Sequence, residues 1–188
     1  MLKIVGGRHR GRTIAAPEGQ ATRPTASRAR EALFNILAHA GWRDDGTSPL
    51  VEARVLDAFA GSGALGLEAL SRGAAHATFL DTDATAVRLI GENLRKLGET
   101  GAAKVVRADA THPPLARTGC DLAFLDPPYR SGQAGPALEA LAAAGWLAPG
   151  AIATVELAHN EDLAPPAGFT AVDERRYGAA KIVILRRS

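Results

Sequence analysis

The sequence predicts an α/β fold in which helices cover both faces of a mostly parallel sheet. From Ala53 onward, short apolar segments of strand length alternate with longer segments of helical character. The strand segments are almost continuously apolar, which is typical of parallel strands that are buried on both faces. No helix separates the last two strand segments, so we expect these two strands to pair antiparallel at one edge of the sheet.

The elements of this main part follow one another in a regular order. Strands are predicted at 53–58, 77–82, 103–107, 120–125, 151–157, 169–175 and 181–186. Helices are predicted at 64–72, 84–97 and 134–144. In open parallel sheets, ligands bind at the carboxyl ends of the strands, so the loops that follow the strands are expected to carry the chemistry.

The N-terminal residues predict a small basic hairpin. Residues 2–5 and 12–15 have the character of short strands, and the glycines between them permit the positive φ angles of a turn. Residues 1–30 hold seven Lys and Arg side chains against one Glu, a balance of +6, whereas the whole chain carries +2. This asymmetry favours a polyanionic partner, with a merely solvated basic surface as the alternative. The candidate phosphate contacts are Arg8, Arg10, Arg12, Arg23 and Arg30.

A helix and a boundary follow the hairpin. Thr25 is expected to cap the N-terminus of a helix that runs to about Ala40. The polar, turn-rich residues 41–49 then separate an N-terminal extension, residues 1–45, from a main domain, residues 46–188. The extension is therefore the part of the chain that is expected to contact the polyanion.

The composition excludes several classes of protein. Hydrophobic residues make up 46% of the 188 residues and charged residues 22%, which is a globular composition. The single cysteine excludes a disulfide framework and a cysteine-based zinc site, and the five histidines have no metal-ligand spacing. No segment has the character of a secretory signal or a membrane span. We therefore expect a soluble, cytoplasmic protein that binds no metal, and we take a monomer as its expected oligomeric state.

A glycine-rich loop follows the first predicted strand of the main domain. Residues 61–66 match the pattern G-x-G-x-x-G, and Asp81 lies near the end of the next strand, 18 residues after Gly63. Glycines let a ligand approach the backbone, and the helix that begins near Ala64 offers free N–H groups to an anion. Asp81 can bind a ribose diol. This pattern alone fits NAD, FAD and adenosyl ligands alike.

Two further acids favour one of these ligands. Asp57 lies directly before the glycines, where a pyrophosphate would be repelled and a cation attracted. S-adenosylmethionine carries a sulfonium, an ammonium and a carboxylate but no phosphate, so it suits both Asp57 and the helix N-terminus. Asp109 follows the third strand and can accept a hydrogen bond from an adenine amino group. The candidate cofactor residues are Asp57, Phe59, Gly61, Ser62, Gly63, Leu65, Asp81, Asp83, Asp109 and Ala110.

The fourth strand runs directly into Asp126, Pro127, Pro128 and Tyr129. The prolines stiffen this loop and remove backbone donors, so the Asp126 carboxylate and the Pro127 carbonyl can converge on one amino group. Tyr129 offers an aromatic face on which a nucleobase can stack. We take these four residues as the candidate catalytic loop.

The two motifs together resemble the class I methyltransferases that modify exocyclic amines of nucleobases. The N-terminal residues contain five further motifs, Ile4-Val5-Gly6-Gly7, Gly11-Arg12, Pro17-x-Gly19, Thr22-Arg23-Pro24-Thr25 and Arg30-Glu31-Ala32-Leu33-Phe34-Asn35-Ile36-Leu37. These motifs are similar to those of the RsmD family. The resemblance implies a Rossmann-like sheet of seven strands with an antiparallel edge hairpin. It also implies methylation of a guanine at N2 in 16S ribosomal RNA of the bacterial small subunit, with S-adenosylmethionine as the methyl donor.

The resemblance assigns the candidate residues to functions and leaves one alternative open. It implies that the strand-end acids and the glycine loop surround the cofactor, that residues 126–129 form the catalytic loop, and that the basic hairpin with Arg23 contacts RNA. Asp81 stands where the family usually has glutamate, and Tyr129 where phenylalanine is common. Because many adenine-N6 methyltransferases carry tyrosine at that place, adenine-N6 methylation remains an alternative.

Other functions fit the sequence less well. Asp57 and the lack of an evident His or Tyr proton relay disfavour an NAD-dependent oxidoreductase. The intact loop at residues 126–129 disfavours a non-catalytic RNA-binding assembly factor. Carbon-5 methylation of pyrimidines needs a cysteine nucleophile, but Cys120 begins a buried strand and is expected to pack in the core. The resemblance to the RsmD family implies that the partner is 16S ribosomal RNA, free or in an assembling or assembled small subunit.

Overall fold

A computed structural model describes residues 2–17, 24–42 and 46–188. The strands in these residues are β1 (Leu2–Lys3), β2 (Thr13–Ile14), β3 (Arg54–Ala58), β4 (His76–Asp81), β5 (Ala103–Arg107), β6 (Cys120–Leu125), β7 (Leu147–Ala158), β8 (Phe169–Tyr177) and β9 (Ala180–Arg187). The α-helices are α1 (Pro24–His39), α2 (Ala64–Ser71), α3 (Ala84–Leu97) and α4 (Ala134–Ala143). Short 3₁₀ turns lie at Gly7–His9 and Thr100–Ala102.

Seven of the described strands form one sheet in the order β5-β4-β3-β6-β7-β9-β8. The first five strands in this order are parallel, whereas β9 lies antiparallel to β7 and β8 antiparallel to β9. The chain proceeds outward from β3 through β4 to β5 and then returns to β6 on the other side of β3. In open α/β sheets the binding crevice lies where the order reverses in this way, at the carboxyl ends of the strands. The predicted fold class is confirmed, and the crevice is expected above β3 and β6.

Helices lie on both faces of the sheet and bury two apolar layers. On one face, Phe34 of α1 packs against Phe124 of β6 with ring centroids 5.3 Å apart, and Leu70 of α2 belongs to the same cluster. On the other face, Leu138 of α4 packs in a cluster with Leu56 of β3. Full burial of such a side chain stabilises the fold by roughly 1.5–3 kcal/mol. Within the described residues, no helix is both long and apolar enough to cross a membrane.

The element boundaries differ most from the prediction at β7. Helix α3 and strands β5 and β6 have the predicted bounds, but β7 begins at Leu147 instead of residue 151. Its pairing with β6 shifts register between Cys120 and Leu122, and Gly150 adopts a φ of +77°. This irregularity accommodates Pro149 and Gly150, since proline lacks a backbone donor for the ladder and glycine often marks a bulge in a strand.

The N-terminal extension packs onto the main domain. Strands β1 and β2 pair antiparallel, which confirms the predicted hairpin. Helix α1 begins at Pro24, so Thr25 lies within the helix and does not cap it as predicted. Proline suits the first turn because the N–H that it lacks has no partner there. Ile14 and Leu37 are buried in the same core cluster as Val55 of β3. The core is therefore continuous across the boundary expected at residue 45.

Candidate active site

Asp57 lies at the carboxyl end of β3 and is buried beneath the glycine loop. Its Oδ2 accepts a hydrogen bond of 2.8 Å from the backbone N–H of Gly66 in α2. A Cβ atom at Gly66 would lie 2.4 Å from a ring atom of Phe79 on β4, so only glycine lets the helix approach the sheet this closely. Gly63 adopts a φ of +75° and turns the chain into α2 in the conformation that favours glycine. The glycine pattern thus forms a close-packed strand–turn–helix unit.

Asp81, at the end of β4, supports the glycine loop from the side. Its Oδ2 accepts from the backbone N–H of Gly61 at 2.7 Å, and its Oδ1 accepts from that of Asp83 at 2.9 Å. Asp83 in turn caps α3 by accepting from Thr85. Phe59, two residues before Gly61, adopts a φ of +59°, a strained conformation of the kind that clusters at functional sites. Because each carboxylate oxygen has two lone pairs, Asp81 retains acceptor capacity for a ribose hydroxyl.

Asp109 follows β5 at the rim of the crevice. The end of β5 is joined to β4 by a hydrogen bond of 3.0 Å from the N–H of Ala108 to the carbonyl of Asp81. Hydrogen bonds from the hydroxyl and the N–H of Thr111 hold the pKa of Asp109 below its usual value. The carboxylate is therefore ionised and half exposed, while Ala110 beside it is buried. The interaction of Asp109 with an adenine amino group stays a prediction.

The candidate catalytic loop leaves β6 next to the end of β3. The N–H of Asp126 lies 3.4 Å from the carbonyl of Ala58, the last residue of β3. Pro127 is buried, whereas Pro128 and Tyr129 are exposed. The Tyr129 hydroxyl donates a hydrogen bond of 2.6 Å to Oε1 of Glu156 on β7. The loop is therefore attached to the strands on both sides of β6.

Three strand-end carboxylates influence one another across the crevice. Burial raises the pKa of Asp57 well above its usual value; the Gly66 hydrogen bond opposes this, and the charges of Asp126 and Asp81 raise it further. Asp126 is still reached by solvent, although the protein atoms around its carboxylate displace most of the hydrating water. This loss of hydration, together with the charge of Glu156, raises the pKa of Asp126 to about 7. Crowded carboxylates with little hydration are stabilised by a cation, so the crevice suits a positively charged ligand.

A cavity of about 160 Å³ opens beside Asp126. Its walls come from the glycine loop, the catalytic loop, β7 and the N-terminal extension, and they include Leu2, Arg30, Ser62, Leu65, Asp126 and Glu156. The fold thus brings Ser62 and Leu65, predicted from the glycine motif, into contact with the same space as the catalytic loop. The other predicted cofactor residues do not line this cavity, and the acids Asp57, Asp81 and Asp109 lie at the ends of β3, β4 and β5 along the same edge of the sheet.

The arginines of the hairpin attach the extension to the main domain. Arg8 donates through Nε and Nη2 to the two carboxylate oxygens of Glu99 at 2.8 Å each. Arg12 donates to the backbone carbonyls of Lys96 and Leu97 at the C-terminal end of α3. Arg8, Arg10 and Arg12 are all exposed, but a carboxylate and the negative end of a helix already attract the guanidinium groups of Arg8 and Arg12, and the phosphate contacts of these two residues stay predictions.

Arg30 is largely buried and holds the N-terminal extension to the main domain. Its side chain is buried, its Nη2 donates to the carbonyl of Lys3 at 2.7 Å, and its Nε lies 3.9 Å from Oε2 of Glu68. Burial lowers the pKa of Arg30 from its ordinary value. Burial leaves Arg30 little surface for an external phosphate, although it lines the cavity beside Asp126, and its phosphate contact stays a prediction. Arg10 is exposed, and its phosphate contact stays a prediction; Arg23 lies outside the described residues.

Glu68 is a residue of the site's framework that the sequence analysis missed. It is fully buried on α2 and accepts from the N–H groups of Val5 and Gly6 at 2.9 and 2.7 Å and from Nε of Arg72 at 2.8 Å. The signal was present in the sequence, because Glu68 interrupts the otherwise apolar helix at 64–70. A charged residue at such a position is rarely buried without partners, and here two of the three hydrogen-bond donors come from the extension.

Two further residues join separate parts of the site. Asn93 of α3 accepts from the N–H of Ala15 at 2.8 Å and donates to the carbonyls of Ala15 and Ser62 at 2.9 and 3.1 Å, so it links the extension to the glycine loop. Glu156 contacts the catalytic loop through Tyr129. Glu156 could have been found from the sequence as an acid near the end of a predicted strand, in the same position as the other strand-end acids.

Cys120 packs in the core, as the sequence predicted. It is buried at the start of β6, and burial raises the pKa of its thiol to about 11. A thiol with this pKa is almost entirely protonated at neutral pH and is a weak nucleophile. Among residues 2–17, 24–42 and 46–188, no group of three or more His, Cys, Asp or Glu side chains is arranged to hold a metal ion.

Comparison with known proteins identifies the family. The model of the family Cons_hypoth95, conserved hypothetical protein 95, matches residues 2–186. The chain belongs to this family. The chain is 42% identical over 157 residues to ribosomal RNA small subunit methyltransferase D of Escherichia coli K12. This match covers 82% of the chain and 74% of the relative. The protein of the same name from Haemophilus influenzae is 34% identical over 182 residues, 94% of this chain and 89% of the relative.

A solved structure supports the same assignment. The protein yhhF of Escherichia coli, described as a methyltransferase, has a TM-score of 0.82 and 37% sequence identity, and the match covers 100% of this chain and 98% of that one. The resemblance to the RsmD family is thereby confirmed. The Cons_hypoth95 family to which this chain belongs is a family of methyltransferases with a Rossmann-like fold.

Proposed function

We propose that this protein transfers a methyl group from S-adenosylmethionine to N2 of a guanine in ribosomal RNA of the small subunit. The observation that carries the proposal is the convergence of Asp57, Asp81 and Asp126 at neighbouring strand ends around a glycine loop. The names of the relatives in Escherichia coli and Haemophilus influenzae support the substrate class. A ribosomal RNA substrate implies a cytoplasmic site of action.

The residues along β3, β4 and β5 fit S-adenosylmethionine. No side chain caps the N-terminus of α2, so the positive end of this helix is open to the carboxylate of the cofactor. Asp57 suits the positively charged groups of the cofactor, Asp81 suits its ribose diol, and Asp109 suits its adenine amino group. The pyrophosphate of NAD would instead face several carboxylates. When bound, the cofactor supplies an electrophilic methyl group.

The catalytic loop is suited to an exocyclic amine. The N2 amine of guanine is a poor nucleophile because its lone pair is delocalised into the ring. Hydrogen bonds from this amine to the Asp126 carboxylate and the Pro127 carbonyl favour a pyramidal nitrogen whose lone pair points at the methyl group. As the N–C bond forms and the S–C bond breaks, Asp126 stabilises the positive charge on nitrogen and accepts its proton. A pKa of about 7 suits Asp126 to this exchange.

The target base must leave its stack to reach this loop. The exposed ring of Tyr129 offers a surface for stacking, and exposed Arg10 is available for a phosphate. Arg23, expected from the sequence to contact RNA, lies outside the described residues. The monomeric state stays a prediction.

A methylation assay tests the proposal. Protein and radiolabelled S-adenosylmethionine are mixed with small-subunit ribosomal RNA, free or assembled, from cells that lack the activity, and the nucleosides are identified by mass spectrometry. We expect N2-methylguanosine with the wild type, none with Asp126→Ala, and wild-type amounts with Glu139→Gln, which alters an exposed acid on α4. Cofactor affinity should stay within a few-fold in Asp126→Ala, because the main interaction of this loop is with the target amine.

Two outcomes would contradict the proposal. The formation of N6-methyladenosine would favour the alternative substrate, and binding of NAD without methyl transfer would favour an oxidoreductase. Methyl transfer at the wild-type rate by Asp126→Ala would remove Asp126 from the catalytic role.

A further inference from the structure

A second carboxylate, that of Glu156, lies beside the catalytic loop. Strands β6 and β7 are parallel and pair Leu125 with Val155, so the next residues along the two strands are Asp126 and Glu156. Both line the cavity of about 160 Å³, and the charge of Glu156 contributes to the raised pKa of Asp126. The hydroxyl of Tyr129 donates to Oε1 of Glu156 at 2.6 Å. Two carboxylates from neighbouring strands therefore face one cavity.

Two neighbouring acceptors match the hydrogen-bonding edge of guanine. That edge carries N1–H directly beside the amine at C2, so it presents adjacent donors. The N6 amine of adenine is flanked instead by N1 and N7, which are both acceptors and would be repelled by an ionised carboxylate. Glu156 retains acceptor capacity beside its bond with Tyr129, because a carboxylate has about four lone-pair sites.

We propose that Glu156 selects guanine by accepting a hydrogen bond from N1–H while Asp126 accepts from the N2 amine. This inference rests on the proposed function and names the residue that distinguishes guanine N2 from adenine N6. A site that is built to pair with a donor rejects an analogue that lacks it, because the acceptor is then left without a partner. Tyr129 orients the Glu156 carboxylate for this bond.

The test uses RNA in which the target guanine is replaced by 2-aminopurine. This base keeps the amine at C2 but has an unprotonated N1, so it separates recognition of N1–H from recognition of the amine. The quantity measured is the ratio of kcat/KM for the guanine RNA to that for the 2-aminopurine RNA, in the wild type and in Glu156→Gln. Differences in the intrinsic reactivity of the two amines cancel when the ratios are compared between the two proteins.

We expect the ratio to fall at least about tenfold in Glu156→Gln, the loss that corresponds to a hydrogen bond with a charged group. A glutamine has nearly the shape of glutamate, and its amide can also donate to the unprotonated N1 of 2-aminopurine. Tyr129→Phe, which retains the ring, should lower the ratio by a smaller factor. Glu139→Gln should leave the ratio unchanged, since this residue lies on α4 outside the cavity. Thermal unfolding of each variant checks that the fold is retained.

The outcomes separate this inference from the proposed function. If the wild type forms N2-methylguanosine but Glu156→Gln keeps the wild-type ratio, Glu156 does not bind N1–H. The inference is then overturned while the proposed function stands. A wild-type enzyme that uses both bases equally would overturn it as well. If the wild type forms no N2-methylguanosine in natural RNA, the proposed function fails, and this inference fails with it.

Discussion

The buried carboxylate of Glu68 accepts a hydrogen bond of 2.7 Å from the backbone N–H of Gly6, which lies 62 residues earlier in the chain. Its second oxygen accepts from Val5, and Arg72 donates to the first. Glu68 belongs to α2, the helix that begins at the glycine loop. The N-terminal extension is therefore attached to the same helix that is expected to bind the cofactor.

Replacement of Glu68 by alanine should destabilise the whole fold. The change leaves two backbone donors without a partner and leaves Arg72 as a nearly buried cation beside Arg30. Loss of one partner from a buried ion pair costs about 3–5 kcal/mol, and we expect a loss of this size in the free energy of unfolding measured with urea. Glu92→Ala is the control, since the exposed Arg88–Glu92 pair should contribute about 0.5 kcal/mol or less. Equal losses in the two variants would contradict the prediction.

Asp81→Ala should weaken the binding of S-adenosylmethionine at least about tenfold, because charge-assisted hydrogen bonds to the ribose are lost. The variant also loses the support that Asp81 provides to the N–H groups of Gly61 and Asp83. Isothermal titration calorimetry measures the affinity, and amide hydrogen exchange at Gly61 reports on the loop separately. Unchanged affinity would show that Asp81 does not bind the cofactor.

The rate of methyl transfer should rise with pH around neutrality. Asp126 can accept the proton of the target amine only when it is ionised. Its raised pKa of about 7 means that the ionised fraction increases with pH around neutrality. We expect kcat/KM for RNA to rise between about pH 6 and pH 8 and to level off above that range. Glu156→Gln removes a like charge and therefore should lower the pKa of Asp126, which moves the rise to lower pH. A profile that is flat across this range, or that moves to higher pH in the variant, would be inconsistent with this role.

The two arginines Arg8 and Arg10 should affect different properties. Arg10 is exposed, so Arg10→Ala should weaken RNA binding and reduce its salt dependence by a slope of about 0.7–0.9 for each phosphate that the side chain neutralises. Arg8→Ala breaks the paired bonds with Glu99 and should instead lower the free energy of unfolding by about 1–2 kcal/mol. Filter binding across a salt series and urea denaturation measure the two effects. A wild-type salt slope in Arg10→Ala would remove Arg10 from the RNA-contacting surface.

Local signals in the sequence were sufficient for most elements of the main domain. Helix α3 has the predicted bounds because Asp83 caps its start and Gly98, with a φ of +77°, ends it in the left-handed conformation. The strand-end acids Asp57, Asp81 and Asp126 could likewise be assigned to one crevice, because the carboxyl ends of parallel strands meet at one edge of the sheet. The capping signals depend on neighbours within a few positions, whereas the grouping of the acids requires the predicted parallel sheet as well.

The sequence by itself thus determined the α/β class, the glycine loop and the acids that surround it. Only the tertiary structure decided which partners the charged side chains find. Arg8 binds Glu99, which lies 91 residues away in the chain, and Glu68 binds Gly6, which lies 62 residues away. The charges of Arg8 and Glu68 therefore stabilise the fold. The same holds for Glu156, whose position beside the catalytic loop depends on the pairing of β6 with β7. A charge can bind solvent, a ligand or another part of the chain, and the choice depends on long-range packing that no local pattern encodes.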